Sequence, residues 1–100
     1  MHNRFVSDEQ LVEIDARIDS DQFLDPALAK NPVIREVCRA GVWMSDCLVA
    51  AGCDEEMIGR LVYTAGSLCY GRPDPWKVHR ELLGKFAVGE LEEALDKQSN

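Results

Sequence analysis

Carboxylates are the side chains most able to do chemistry in the N-terminal third of this chain. Between Phe5 and Ala29 there are seven acidic residues and a single basic residue, Arg17. The acidic residues are Asp8, Glu9, Glu13, Asp15, Asp19, Asp21 and Asp25. Such a segment can bind the lysine and arginine side chains of a partner protein, hold a cation, or serve only to keep the protein in solution.

The spacing of the acids favours a basic partner. Helical residues four apart lie about 6 Å from each other, and successive phosphates of a nucleic-acid strand are roughly 7 Å apart. A helix with acids at this spacing can therefore imitate a row of phosphates. The residues expected to bind the partner are Asp8, Glu9, Glu13, Asp15, Asp19 and Asp21. Solubility alone is the alternative, because the chain has a pI near 4.7.

No catalytic motif accompanies the acids. The chain has two histidines, His2 at the start and His79 on the inner face of an amphipathic segment, where a hydrogen-bonded core residue is expected. Glycine-rich phosphate loops, the helical zinc-protease motif and the calcium-loop pattern are absent from the sequence. We expect no enzymatic activity, no catalytic residue, no metal and no cofactor.

The four cysteines fit no metal or redox motif. They are Cys38, Cys47, Cys53 and Cys69, separated by nine, six and sixteen residues. Three of them lie in apolar stretches, so we expect small buried thiols in a reducing cytoplasm.

Helix caps and glycines predict an all-α fold, a compact bundle of five or six short helices in a single domain over residues 1–100. Ser7 and Gln10 match a capping box. Later helices are expected to begin at Asp25-Pro26, Asn31-Pro32, Asp54 and Asp74-Pro75. Two of them are expected to end at Gly52 and Gly71, and a last short helix is expected over residues 90–98. The apolar stripe of Leu11, Ile14 and Ile18 places Asp8, Asp15 and Asp19 along one flank of the first helix.

The charged residues of the predicted helices are spaced for ion pairs. Glu13 and Arg17, four apart in the favourable order, are expected to form an ion pair. Arg35, Arg39 and Asp46 either form a ladder along the longest helix or leave the two arginines to pair with the N-terminal acids.

Gly59 and Gly66 cost about 1 kcal/mol each against alanine inside a helix, which predicts a close helix contact at both. An exposed face around Gly59, Tyr63 and Gly66 would instead favour a homodimer.

The segment 47–58 resembles the turn of a helix-turn-helix, with Gly52 at the turn and Ile58 at the buried position. Its second helix starts with Asp54, Glu55 and Glu56. These acids would be repelled by phosphates, so reading of DNA is disfavoured.

Composition sets the remaining bounds. The net charge of −7 disfavours direct binding of nucleic acid and of anionic membranes. No export signal or bilayer-spanning apolar run is found, which predicts a cytoplasmic protein.

Over its whole length the chain resembles the small acidic anti-CRISPR proteins of phages and mobile elements, with about one hundred residues, a helical domain and no enzyme motif. The resemblance implies an inhibitor that binds a CRISPR-Cas nucleoprotein complex and blocks its target DNA. The alternative is a phage or bacterial regulatory or interaction subunit, monomeric or homodimeric.

Overall fold

Five α-helices make up the part of the chain that the computed structural model describes, residues 4–21 and 25–87 without the side chains of residues 21 and 87. They are α1 (Asp8–Asp21), α2 (Pro26–Ala29), α3 (Pro32–Ala50), α4 (Glu55–Leu68) and α5 (Pro75–Ala87). These residues contain no strand, and the all-α prediction is confirmed. The helix predicted over residues 90–98 lies outside the described residues.

The helices start at the capping residues that the sequence predicts. The Ser7 hydroxyl accepts from the Gln10 amide at 3.2 Å, and the Gln10 side chain accepts from the Ser7 amide at 2.9 Å. This reciprocal pair satisfies two amides that have no partner within the helix. The Asn31 and Asp54 side chains accept from the first-turn amides of α3 and α4 in the same way.

Two glycines let the chain turn sharply after α3 and α4. Gly52 has φ +85° and Gly71 has φ +74°, in the left-handed region that a Cβ atom disfavours. Both follow a helix end by one to three residues, so the glycine positions in the sequence locate both turns.

The longest helix, α3, is the centre of the fold, because α1, α2, α4 and α5 all contact it. The buried cluster between α3, α4 and α5 consists of Met44 and Leu48 of α3, Leu61 and Ala65 of α4, and Leu82 of α5. Full burial of each of the large side chains contributes about 1.5–3 kcal/mol. These contacts fix α4 and α5 against α3 and thereby shape the surface between them.

An aromatic cluster anchors the segment that precedes α1. Trp76 is fully buried, with its ring 5.8 Å from that of Trp43. Phe5 packs 5.3 Å from Trp43, and the Arg80 guanidinium lies 5.0 Å from the centre of the Phe5 ring. The start of α1 is therefore fixed against α3 and α5.

None of the five described helices combines the length and the apolar composition that crossing a membrane would require.

Candidate functional site

Two of the acids expected to bind a partner are held by arginines of α3. The Arg39 Nε and Nη2 atoms donate to the two Asp15 oxygens at 2.7 and 2.8 Å. Both Arg35 Nη atoms donate to Asp19 at 3.1 Å, and the Arg35 Nε lies 3.4 Å from Asp15. We call these four residues the ion-pair lattice. Paired charge-assisted hydrogen bonds of this kind fix the geometry of both groups.

The lattice settles which arginine pairing the protein uses. The ladder of Arg35 and Arg39 with Asp46 is wrong, because both arginines pair with α1. Arg17, which we expected to pair with Glu13, donates to Asp46 of α3 at 2.8 Å. Packing of the apolar stripe of α1 against α3 brings these charged groups together. The three arginines therefore pair with acids of the neighbouring helix.

Asp15 and Asp19 differ in how much of each carboxylate a partner could contact. The Asp15 side chain is 26% exposed and that of Asp19 is 62% exposed. Hydrogen bonds and the positive charge of Arg39 lower the pKa of Asp15 against the opposing effect of burial. Asp15 is thus a charged structural group, and Asp19 keeps a solvent-facing side.

The remaining predicted acids form an outer surface. Asp8, Glu9 and Glu13 are exposed, and within the described residues none of them has an ion-pair partner. Glu9 and Glu13 lie about 40° apart around α1, whereas Asp8 lies about 100° from Glu9, towards the flank of Asp15 and Asp19. We call these three residues the outer acidic edge. Asp21 ends α1, and its side chain lies outside the described residues.

The sequence did not reveal a buried carboxylate, Glu36 of α3, which is only 2% exposed. Arg4 reaches it at 2.7 Å, Arg39 at 3.2 Å and the Trp76 indole nitrogen at 3.2 Å. Burial alone would raise the pKa of Glu36, but the hydrogen bonds from Arg4 and Trp76 outweigh it and lower the pKa to about 2. Two of its three partners, Arg4 and Trp76, are 32 and 40 positions away, a separation that no helical period reveals.

A cleft of about 410 Å³ opens between α3 and α4. Its walls are mainly apolar and include Val37 and Val42 of α3 and Ile58 and Val62 of α4. His79 of α5 lies at its inner end. We call this feature the α3–α4 cleft, and its apolar lining is typical of a surface that accepts an apolar group.

His79 has one hydrogen-bonded nitrogen and one without a partner. Its side chain is 1% exposed, and its Nδ1 atom lies 2.7 Å from the carbonyl oxygen of Pro75. The Nε2 atom is buried and has no hydrogen-bond partner among the described residues. The prediction that His79 is a core residue is confirmed, but only one of its two nitrogens is satisfied.

The cysteines do not build a nucleophilic site with His79. The Cys69 Sγ atom lies 3.9 Å from Nδ1, which is already engaged by the Pro75 carbonyl. Burial raises the pKa of the Cys69 thiol to about 11, so the thiol stays protonated at neutral pH. All four cysteines are free and half-buried.

The exposed side of α4 differs from our expectation. An added Cβ at Gly59 or Gly66 would meet nothing within 4 Å, so the prediction of a close helix contact is wrong for the described residues. Tyr63, between them on the same face, is 79% exposed. This is the exposed face that we associated with a homodimer.

A short turn at Gly52 joins α3 and α4, and α4 begins with the exposed acids Glu55 and Glu56. Comparisons with protein-family models, curated proteins and solved structures gave no match to this chain. The function proposed below therefore depends on geometry and charge.

Proposed function

We propose that this chain is a binding protein that occupies a basic, nucleic-acid-holding surface of a partner protein and blocks DNA binding there. The outer acidic edge carries this proposal, because Asp8, Glu9 and Glu13 are exposed and have no ion-pair partner within the described residues. Carboxylates in this state are available to lysines and arginines of another molecule.

The ion-pair lattice supports the proposal by fixing the helix that carries the edge. Arg35 and Arg39 hold α1 against α3 through Asp15 and Asp19, and the capping box orders the first turn. A surface that is rigid before binding loses little conformational entropy when it binds. Asp19, still largely exposed, extends the surface along α1.

The chemistry of the partner follows from the charge. A net charge of −7 opposes direct contact with nucleic acid and attracts proteins whose surfaces hold it. The resemblance to small anti-CRISPR proteins indicates one such partner in the bacterial cytoplasm, an RNA-guided surveillance complex with a basic channel for its target. In this proposal the chain performs no catalytic step.

The test measures displacement of a fluorescent target duplex from a purified RNA-guided complex by fluorescence anisotropy. The edge variant carries Asp8→Asn, Glu9→Gln and Glu13→Gln. A control carries Glu55→Gln, Glu56→Gln and Glu81→Gln, three exposed acids on α4 and α5. Both variants change the net charge from −7 to −4.

We expect the wild type to displace the duplex and the control variant to act similarly. The edge variant should need at least about tenfold more protein for the same displacement, because each lost contact contributes a fraction of 1 kcal/mol or more. Raising the salt should weaken displacement, since exposed charges are screened beyond about 8 Å at physiological ionic strength. Equal loss in both variants, or no displacement by the wild type, would overturn the proposal.

A second candidate is an interaction subunit that self-associates through α4, favoured by the exposed Tyr63 between Gly59 and Gly66. Sedimentation equilibrium over a range of concentrations tests it, with Tyr63→Ser as the variant. Tyr70→Ser is the control, because Tyr70 is even more exposed than Tyr63 and lies beyond the end of α4. Self-association that Tyr63→Ser abolishes and Tyr70→Ser preserves would establish this alternative, and a monomer throughout would exclude it.

A further inference from the structure

The inner end of the α3–α4 cleft contains a polar group that the described residues leave without a hydrogen-bond partner. The Pro75 carbonyl oxygen can only accept, so the proton of the His79 ring lies on Nδ1. Nε2 then carries a lone pair and is an acceptor. It is buried, and within residues 4–21 and 25–87 no donor reaches it. A buried acceptor without a donor is a costly arrangement, and few occur in native proteins.

Nε2 faces the cleft and not the core. Nδ1 points back to Pro75 on its own helix, so Nε2 is on the opposite edge of the ring. A Cβ atom at Gly41 would be 3.8 Å from Nε2 and 3.5 Å from Cγ1 of Val62. Gly41, Val62 and His79 all line the cleft, so the approach from the cleft to the acceptor passes Gly41 and Val62.

Gly41 places no side chain in this approach, which the Val62 side chain borders. Gly41 lies in the middle of α3, where glycine is unfavourable relative to alanine. The distances to an added methyl are those of ordinary contact, so alanine would fit. A methyl there would occupy the space in front of Nε2.

We propose that the α3–α4 cleft binds a small, uncharged, mainly apolar molecule that carries one hydroxyl or N–H donor, with the donor bound to Nε2 of His79. The valine and isoleucine walls contact the apolar body, and Nε2 orients it from the inner end. Ser45 and Arg17 also line the cleft. The volume of about 410 Å³ lies at the lower end of the range for small-molecule sites, which suits a ligand about the size of one or two rings. Val62 rotates aside to admit the donor. The proposal is independent of the outer acidic edge.

The probe is p-cresol, compared with toluene, which has the same shape but lacks the hydroxyl. Each is titrated into full-length ¹⁵N-labelled protein at neutral pH, and the signal of the His79 Nε2 nitrogen is followed by NMR. We expect p-cresol to bind about five- to tenfold more tightly than toluene, the ratio that one hydrogen bond supplies. Only p-cresol should move the Nε2 signal towards that of a hydrogen-bonded acceptor.

Two variants alter the path to Nε2 in opposite directions without touching the histidine. Gly41→Ala should abolish the preference for p-cresol over toluene while leaving the protein folded. Val62→Ala should increase the affinity for p-cresol, because it clears the approach. His79 signals in both free variants that match the wild type would show an intact ring environment.

Equal affinity for the two probes, or an Nε2 signal that p-cresol leaves unchanged, would overturn the proposal. A signal that shifts with protein concentration in the absence of a probe would also overturn it, because a second copy would then cover the cleft. Coverage by another part of this chain would prevent p-cresol from binding and has the same consequence.

Discussion

The polar groups on the two sides of α3 differ in whether the described residues give them hydrogen-bond partners. Towards α1, Arg35 and Arg39 hold Asp15 and Asp19 by short paired hydrogen bonds, and the neighbouring Glu36 accepts from three donors. Towards α4, the cleft is lined mainly by apolar groups, and the one buried polar atom at its end, Nε2 of His79, has no partner among the described residues.

The contrast separates groups that maintain the fold from groups that remain available to a ligand. A carboxylate that already accepts from two arginines gains little from a further donor, whereas an unsatisfied acceptor gains a full hydrogen bond. The contacts between α3 and α1 should therefore determine the stability of the fold. The cleft between α3 and α4 should determine the binding of the small apolar ligand. The four predictions that follow test this division, beginning with the largest effect.

Removal of the Glu36 carboxylate should cause the largest loss of stability. Glu36→Ala leaves Arg4, Arg39 and the Trp76 N–H without their buried acceptor. We expect the free energy of unfolding to fall by about 3–5 kcal/mol, the usual cost of breaking a buried ion pair from one side. Urea unfolding followed by tryptophan fluorescence measures it. A loss below about 1 kcal/mol would show that Glu36 does not hold this side together.

Lowering the pH should reduce the free energy of unfolding in two separate ranges, one set by His79 and one by Glu36. The pKa of His79 is lowered by burial from 6.5, so below pH 6.5 the unfolded chain takes up a proton before the native protein does. The pKa of Glu36 is lowered from 4.5 to about 2, so a second loss occurs between those values. Stability thus falls as the pH falls in both ranges. The second loss should be on the order of 2–3 kcal/mol.

Urea unfolding across the acid range measures both steps. His79→Gln should remove the upper step. Glu36→Gln should reduce the lower one, to which Asp15 also contributes because its pKa is lowered as well. An upper step that persists in His79→Gln, or a lower step of unchanged size in Glu36→Gln, would assign that step to other groups.

The pair of Asp15 and Arg39 should be coupled more strongly than the pair of Arg17 and Asp46. The first pair is half-buried and bidentate, whereas the second has side chains 46% and 53% exposed. Double-mutant cycles with Asn and Gln replacements should give about 1–2 kcal/mol for the first and under about 0.5 kcal/mol for the second. Equal coupling in both pairs would mean that burial does not distinguish them.

The smallest expected change is a gain in stability at the rim of the cleft. Gly59→Ala and Gly66→Ala add a methyl where nothing lies within 4 Å. Each should raise the free energy of unfolding by about 0.5–1 kcal/mol through helix propensity. Thermal unfolding of dilute protein measures this. Destabilisation by either alanine would indicate that another surface packs closely on α4.

Much of the fold could be predicted because its signals are local. The capping box of Ser7, the Asn31-Pro32 start of α3 and the turn at Gly52 depend on residues a few positions apart. Each of these is set by backbone hydrogen bonding and by φ. The acidic row of α1 could be read in the same way, because it depends only on the helical period.

The partners of the charged groups could not be predicted. A helical period gave Glu13 as the partner of Arg17, but the side chains that meet are Arg17 and Asp46, 29 residues apart. The same limit hid the donors of Glu36 and led us to assign Gly59 and Gly66 to a close helix contact that the described residues do not make.

The sequence by itself determined that the chain is helical, where most of its described helices start and end, and that α1 carries a dense row of acids, because propensity, capping and periodicity act over a few residues. Only the tertiary structure decided which acids are neutralised and which remain at the surface. It alone placed His79 of α5 at the end of a cleft between α3 and α4, with one nitrogen that has no hydrogen-bond partner among the described residues. Burial and pairing depend on how distant helices pack, and no local pattern contains that information.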